Sequence, residues 1–369
     1  MYRVLVFGMT ENPGGVESFL INYYRHIDRN KIQFDFLCNS YDKVAYEDEL
    51  ISMGGRTFHI MPRSKNPRVY QKELNELFKK HAGEFDAIWV NVSSLANIDY
   101  LKAAKKYGIK KRIIHSHNSR NMDSRLRGIL HNINRNKIGK YATDFWACSE
   151  DAAKWFYNDR LIGKAVVIHN AIDVDRVSYD EEKGNLVRKK LGTEKNYVMG
   201  NVGRLHFQKN QAFAIEILAN YLKRDSDGVL VLVGQGEDEE MLKNKAAELG
   251  VSDQVIFAGL QKDMQAWLSS FDLFLFPSVF EGLSIAALEA QANGLPALAS
   301  FGVVPQEVRL NDNFNFMELD NNAEQWADRI YEIRNSASRK SMEEVRKSFS
   351  ENGYDINAEA EKLEELLLR

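Results

Sequence analysis

The sequence predicts an α/β protein made of two doubly wound parallel-sheet domains, and three observations predict it. Short, nearly continuous apolar runs alternate with segments of helical period. Such runs suit strands buried on both faces, as in a parallel sheet covered by crossover helices. The runs fall into two sets of six, and 369 residues suit two domains better than one.

In the first set stand "RVLVFG" (3–8), "QFDFLC" (33–38), "DAIWVNV" (86–92), "RIIHSH" (112–117), "DFWACS" (144–149) and "AVVIHNA" (165–171). In the second stand "YVMGNVG" (197–203), "GVLVLVG" (228–234), "QVIFAG" (254–259), "DLFLFPS" (272–278), "LPALAS" (295–300) and "FNFMEL" (314–319). Between the sets, "YDEEKGNLVRKKLGTEKN" (179–196) is polar and charged, suiting a linker with a short helix. The tail "INAEAEKLEELLLR" (356–369) reads as a helix with no strand after it. The expected division is an N-terminal Rossmann-like domain over 1–182 and a C-terminal one over 183–347. A C-terminal helical segment, 348–369, would pack back on the first domain. Open parallel sheets bind ligands at the carboxyl ends of their strands. Two such sheets facing each other would form an interdomain cleft, so functional residues should follow strands.

Composition excludes several classes. With 44% hydrophobic and 27% charged residues and six prolines, the chain is an ordinary soluble globular one. Its net charge of −3 gives no general case for nucleic acid. Cys38 and Cys148 match no zinc or redox spacing, which suits a reducing cytoplasm. "MYRVLVFGMTENPGG" enters a strand directly, and no run approaches a membrane span.

After the first strand, Gly14-Gly15 precede a helix with Val16, Phe19, Leu20 and Tyr23 on its apolar positions. A glycine turn there lets a ligand approach the backbone, and helix N-terminal amides favour an anion. A plain tight turn is the other reading of the motif alone, and it is not a dinucleotide-binding G-x-G-x-x-G. "RIIHSHNSR" puts His115 and His117 on one face at the end of a strand, with His117 nearer the carboxyl end. In "GNVGRLHFQKN", Arg204 and Lys209 flank the turn from the first strand of the second domain into a helix. Two cations so placed can clamp a diphosphate. The Gly234/Gly236 turn runs into an acidic helix start, which suits the helix dipole and reads as structural.

The most informative stretch is "FEGLSIAALEAQANGLP" (280–296). A helix starting near Gly282 would offer the amides of Gly282, Leu283, Ser284 and Ile285 to an anion. At about 1.5 Å of helical rise per residue, Glu281 and Glu289 would lie up to roughly 12 Å apart. That span suits one carboxylate on a sugar and the other on a ribose, with a diphosphate between.

With these motifs in order ("GGVE", "HSH", "VIHNAID", "GRLHFQKN", "LVGQGE", "FAG" and "PSVFEGLSIAALEAQANGLP") the chain resembles a family 4 glycosyltransferase of the GT-B fold over essentially its whole length. It is especially similar to bacterial capsular and exopolysaccharide transferases. The resemblance implies a retaining enzyme that takes a nucleotide-diphosphate sugar, a UDP-sugar by expectation, and needs no metal or other cofactor for the chemistry. It implies that Glu281 contacts the donor sugar and Glu289 the ribose. Arg204 and Lys209 would hold the diphosphate, and Gly15 would admit donor phosphate or acceptor. His117 would line the reaction centre, and Leu260 would meet the base. Asn210 departs from the glycine that often follows the lysine, and Ser284 from a frequent glycine or proline. No carboxylate offers itself as a covalent nucleophile, which points to a front-face reaction. "DVD" (173–175) and "DSD" (225–227) match a metal-binding D-x-D pattern only formally.

Residues 102–140 hold twelve lysines and arginines against one acid, Asp123. Interspersed with Met122, Leu126, Ile129, Leu130 and Ile133, they suggest a basic amphipathic surface for anionic lipid headgroups or a diphosphate-bearing acceptor. No nucleic-acid recognition motif appears. The expected partners are a nucleotide sugar, a glycan or lipid-linked acceptor and an anionic membrane surface. The expected location is the cytoplasm, peripheral to the inner face of the cell membrane. Two other functions fit the same residues: a non-catalytic transferase-like subunit, and another GT-B enzyme such as a nucleotide-sugar epimerase.

Overall fold

The computed structural model describes residues 1–118, 125–281 and 284–369. It divides into two compact units, Met1–Ala171 with Ile356–Arg369, and Ile172–Asp355.

Unit one is built on strands β1 (Tyr2–Phe7), β2 (Ile32–Cys38), β3 (Thr57–His59), β4 (Ala87–Val92), β5 (Lys111–Ser116), β6 (Asp144–Ala147) and β7 (Ala165–Val167). They pair in parallel, in the order β3-β2-β1-β4-β5-β6-β7. Its helices are α1 (Gly15–His26), α2 (Glu47–Ser52), α3 (Pro67–His81), α4 (Asp99–Lys106), α5 (Arg125–Arg135), α6 (Glu150–Phe156) and α7 (Asp159–Ile162). The sheet therefore has seven strands where the sequence suggests six. β3 escapes notice because it is a three-residue edge strand, half-buried throughout, with no apolar run to mark it.

Unit two carries β8 (Tyr197–Val202), β9 (Gly228–Val233), β10 (Val255–Gly259), β11 (Leu273–Phe276), β12 (Ala297–Ser300) and β13 (Phe314–Met317). Their parallel order is β10-β9-β8-β11-β12-β13. Its helices are α8 (Glu181–Leu191), α9 (Gln211–Tyr221), α10 (Glu239–Glu248), α11 (Met264–Ser269), α12 (Ile285–Ala292), α13 (Ala323–Ser336) and α14 (Met342–Glu351).

Alternation along the strands explains both sheets. In unit one, Val4 and Val6 pack with Phe34, Phe36 and Trp89 on one face, while Leu5 packs with Leu37, Ile88 and Val90 on the other. In unit two, Val229, Val231 and Val233 face one cluster, and Leu230 and Leu232 the other. Each such side chain contributes on the order of 2 kcal/mol by leaving water, which is why both faces need a helical layer.

The segment read as a linker belongs to unit two. α8 is capped by Asp180, and its Arg188 pairs with Asp272 at 2.7 Å. A Cβ on Gly184 would lie 2.6 Å from the Ser269 carbonyl oxygen, so glycine permits the close α8–α11 contact. The units accordingly meet at Ala171/Ile172, not at 182/183. Position 348 falls inside α14, and the chain rejoins unit one at Ile356 as the helix α15 (Ile356–Leu368). There Ile356, Ala360, Leu363 and Leu367 are buried, and Glu364 accepts the Asp28 amide at 2.6 Å. Among the described residues, no helix is long and apolar enough to cross a membrane.

Candidate active site

In unit two, the loop after β8 turns through Phe207–Lys209 into α9. Asn210 closes that turn with φ +56°, a left-handed conformation that asparagine tolerates almost as glycine does. Its side-chain amide donates to the Pro277 carbonyl at 3.0 Å, tying the loop to the end of β11. The departure from glycine is thus explained by the backbone. The turn delivers Lys209, whose Nζ lies 2.7 Å from Glu281 Oε1 and 4.8 Å from the centre of the Phe276 ring. The two side chains are only 17% and 5% exposed, so each charge depends on the other for compensation.

Arg204 is exposed and reaches Glu237, with Nη2 2.9 Å and Nε 3.1 Å from Oε2. Glu237 follows the Gly234/Gly236 turn after β9. A Cβ on Gly234 would sit 1.9 Å from the Gly203 carbonyl oxygen, and one on Gly236 2.0 Å from that of Leu205. The two glycines therefore let adjacent loops lie backbone against backbone, placing Glu237 beside Arg204. Glu237 was not legible from sequence, where acids at a helix start serve the helix dipole.

α12 begins at Ile285, and Ser284 is its cap, with Oγ accepting the Ala287 amide at 3.4 Å. The helix does not reach back to Glu281, so the helical estimate of the Glu281–Glu289 span does not apply. Gly282 and Leu283 lie outside the described residues. The carboxylate of Glu289, half-buried on α12, accepts no hydrogen bond from the described residues. Desolvation raises its pKa to about 7, against the opposing pull of Arg176. Leu260 stands exposed directly after β10.

In unit one, His117 follows β5 with Phe19 and His115 against its ring, at centroid distances of 4.9 and 4.2 Å. The Asn91 amide nitrogen faces the Trp89 carbonyl, leaving Asn91 Oδ1 for His117 Nε2 at 2.9 Å. This assigns the proton to Nε2 and leaves Nδ1, buried and without a partner, as an acceptor. Desolvation lowers the pKa to about 3, so the ring is neutral throughout the physiological range. His117 can position a hydroxyl but is a poor general base. His115 is fully buried beside Trp89 as core. Gly14 caps α1, where the Glu17 carboxylate takes the Gly14 amide at 3.1 Å. A Cβ on Gly15 would meet nothing within 4 Å, so packing does not require glycine there.

Both D-x-D matches engage arginines. Asp225 and Asp227 hold Arg334 at 2.9 and 2.8 Å, and Asp175 pairs with Arg346 at 2.7 Å. Among the described residues, no group of three or more potential ligands could hold a metal.

The model for glycosyl transferases group 1 matches residues 183–356, and the model for glycosyltransferase family 4 matches residues 13–176. Both are glycosyltransferase models, one in each half of the sequence, and the chain is a glycosyltransferase. The transferase is 28% identical to EpsF of Bacillus subtilis (strain 168) over 96% of this chain and 93% of that one. It is 35% identical, over 41% of this chain and 40% of the other, to the Escherichia coli UDP-Gal:alpha-D-GlcNAc-diphosphoundecaprenol alpha-1,3-galactosyltransferase. A crystal structure of Anabaena Alr3699/HepE in complex with UDP superposes with a TM-score of 0.79 at 18% identity, covering all of both chains. That likeness confirms the GT-B fold: two Rossmann-like parallel-sheet units of seven and six strands.

The transferase's basic stretch is not one open surface. Arg120, Met122, Asp123 and the side chain of Arg125 lie outside the described residues. Lys105, Lys111 and Arg135 donate to backbone carbonyls of Lys140, Leu366 and Tyr157 at 2.7, 2.5 and 2.5 Å. Arg112 holds the Tyr141 and Ile109 carbonyls, and Lys102 pairs with Asp99 at 3.1 Å. α5 instead presents Leu126, Ile129, Leu130 and Ile133 to solvent, spaced as one helix face.

Proposed function

We propose that the chain is a retaining glycosyltransferase that moves a sugar from a UDP-sugar onto a lipid-linked glycan acceptor in the synthesis of a cell-surface polysaccharide. The observation that carries this reading is the Lys209–Glu281 pair, which joins the loops after β8 and β11, with Glu289 on the helix that follows. The UDP complexes of the 18%-identical neighbour and the lipid-diphosphate acceptor in the name of the Escherichia coli relative support the substrate classes.

The bond from the anomeric carbon to the donor phosphate breaks, and its electron pair leaves on the phosphate. Arg204 and Lys209 stabilise that charge as it builds. Glu281, released in part from Lys209, accepts hydroxyls of the transferred sugar, and Glu289 accepts those of the ribose. The acceptor oxygen forms its bond on the face the phosphate left, and its proton passes to the departing phosphate oxygen. His117, neutral, offers Nδ1 to a sugar hydroxyl. No metal enters this scheme.

The exposed row on α5 supports docking on a membrane, with Lys137 and Lys140 following it in sequence. Ile129→Asp is expected to abolish cosedimentation with phosphatidylglycerol vesicles; unchanged cosedimentation would remove α5 from the surface. For the chemistry, the purified chain is incubated with UDP-glucose, UDP-galactose or UDP-N-acetylglucosamine, and products are examined by NMR. Turnover of one donor with the anomeric configuration kept is expected, and an inverted product would sink the mechanism.

A further inference from the structure

The ends of β8 and β11 are joined by more than the Lys209–Glu281 pair. At the strands themselves, buried Asn201 donates its side-chain amide to the Leu275 carbonyl at 2.8 Å. Further along, Asn210 donates to the Pro277 carbonyl at 3.0 Å, and the Val279 amide donates to the Gln208 carbonyl at 2.9 Å. The Gln208 side-chain amide then donates to the Phe280 carbonyl at 2.9 Å, one residue before Glu281. Gln208, Lys209 and Asn210, consecutive in the chain, thus all grip the segment 277–281.

These grips respond differently to a diphosphate. The Lys209–Glu281 contact is a charge pair, and an incoming anion competes for its ammonium. The contacts of Gln208 and Asn210 are neutral hydrogen bonds to carbonyls. A phosphate draws a neutral amide much less strongly, so these bonds persist when the ion pair opens.

We infer that Gln208 and Asn210 are positioning residues that hold Glu281 in place while Lys209 turns from its carboxylate to the donor diphosphate. The inference rests on the transferase reading and deepens it, because it assigns part of the donor-sugar discrimination to two side chains that act through Glu281.

The local geometry separates this role from simple loop stability. At φ +56°, position 210 would accept glycine without backbone strain, so what the asparagine side chain adds is its bond to Pro277. The Gln208 amide reaches past Lys209 to the carbonyl adjoining Glu281, so losing that bond frees the residue that carries the carboxylate. A small displacement of the carboxylate spoils directional hydrogen bonds to sugar hydroxyls. It leaves the Lys209 charge available to the diphosphate.

The test is calorimetric titration of the full chain with UDP, UDP-glucose, UDP-galactose and UDP-N-acetylglucosamine. The proteins are the wild type, Gln208→Met, Asn210→Gly, Glu281→Gln and the double variant Gln208→Met/Glu281→Gln. The quantity read is the affinity for the tightest-bound UDP-sugar divided by that for UDP. Gln208→Met and Asn210→Gly should each lower this ratio by about two- to tenfold, the range of one net hydrogen bond, with UDP affinity unchanged. On the Glu281→Gln background, Gln208→Met should lower it no further, because both changes act through one carboxylate. An unchanged ratio in both single variants, equal losses of UDP and UDP-sugar affinity, or additive losses in the double variant would overturn the positioning role. Failure of the wild type to bind UDP or any of the UDP-sugars would instead sink the transferase reading, and that is read from the wild-type titrations alone.

Discussion

Beyond the strands of unit two, Lys209 and Arg204 each face a carboxylate. Beyond the strands of unit one, Glu11 and Glu17 face hydroxyls and an amide around a cavity whose described lining holds no lysine or arginine. The two sheets share an architecture, a winding rule and a layer of helices on each face. What differs is the set of side chains their post-strand loops deliver. Paired cations can exchange a carboxylate for a phosphate, because the charge lost by one partner is replaced by the ligand. The described lining of the unit-one cavity offers carboxylates and amides and no such cation. The fold decides where ligands bind, and the loops decide which kind.

The comparison breaks most severely at Lys209. Lys209→Met leaves Glu281 buried without its counter-charge, at a cost of about 3 kcal/mol. Thermal melts should register the loss, and donor turnover should fall by roughly a hundredfold or more. Glu281→Gln is the sharper variant, since it keeps volume and hydrogen bonding. It should retain UDP binding while losing discrimination among UDP-sugars.

Glu289 gives a pH signature. Its folded-state pKa of about 7 lies above the ordinary 4.5, so the folded protein keeps a proton that the unfolded chain loses between those values. Wild-type stability should fall as pH rises from about 4.5 to about 7 and then level off, while Glu289→Gln shows no such decline. UDP affinity should move the other way, because ribose hydroxyls favour the ionised carboxylate. It should rise by up to about tenfold per pH unit below 7 and flatten above. Calorimetry in parallel on the Gln variant checks both. His117 contributes no limb near pH 6.5, because its pKa lies near 3.

The smallest effect belongs to Glu237. Its pair with Arg204 is exposed, and such pairs contribute about 0.2–1 kcal/mol. Glu237→Gln frees Arg204 for the diphosphate and should tighten UDP binding by no more than about fivefold.

Much of this was legible in the residues. The alternating apolar runs give the two sheets, and "GRLHFQKN" with "FEGLSIAALEAQANGLP" marks the post-strand loops of unit two. The Lys209–Glu281 contact was not legible as a pair, because 72 residues separate partners that only the β8–β11 adjacency brings together. β3 was missed because an edge strand of three half-buried residues leaves no hydrophobic pattern. Residues 179–196 carry the composition of a linker because a helix held by Arg188–Asp272 and a glycine contact needs little apolar surface. Asn39 and Glu11 follow strands as single polar residues, and nothing in sequence separates these from ordinary loop positions. The fold alone brings them to one cavity.

The most direct measurement is calorimetric titration of UDP into the wild type, Lys209→Gln and Glu11→Gln, side by side. UDP should bind the wild type, weaken at least tenfold in Lys209→Gln and keep its affinity in Glu11→Gln. Equal weakening in both variants, or none in Lys209→Gln, would contradict a donor site built on the cations of unit two.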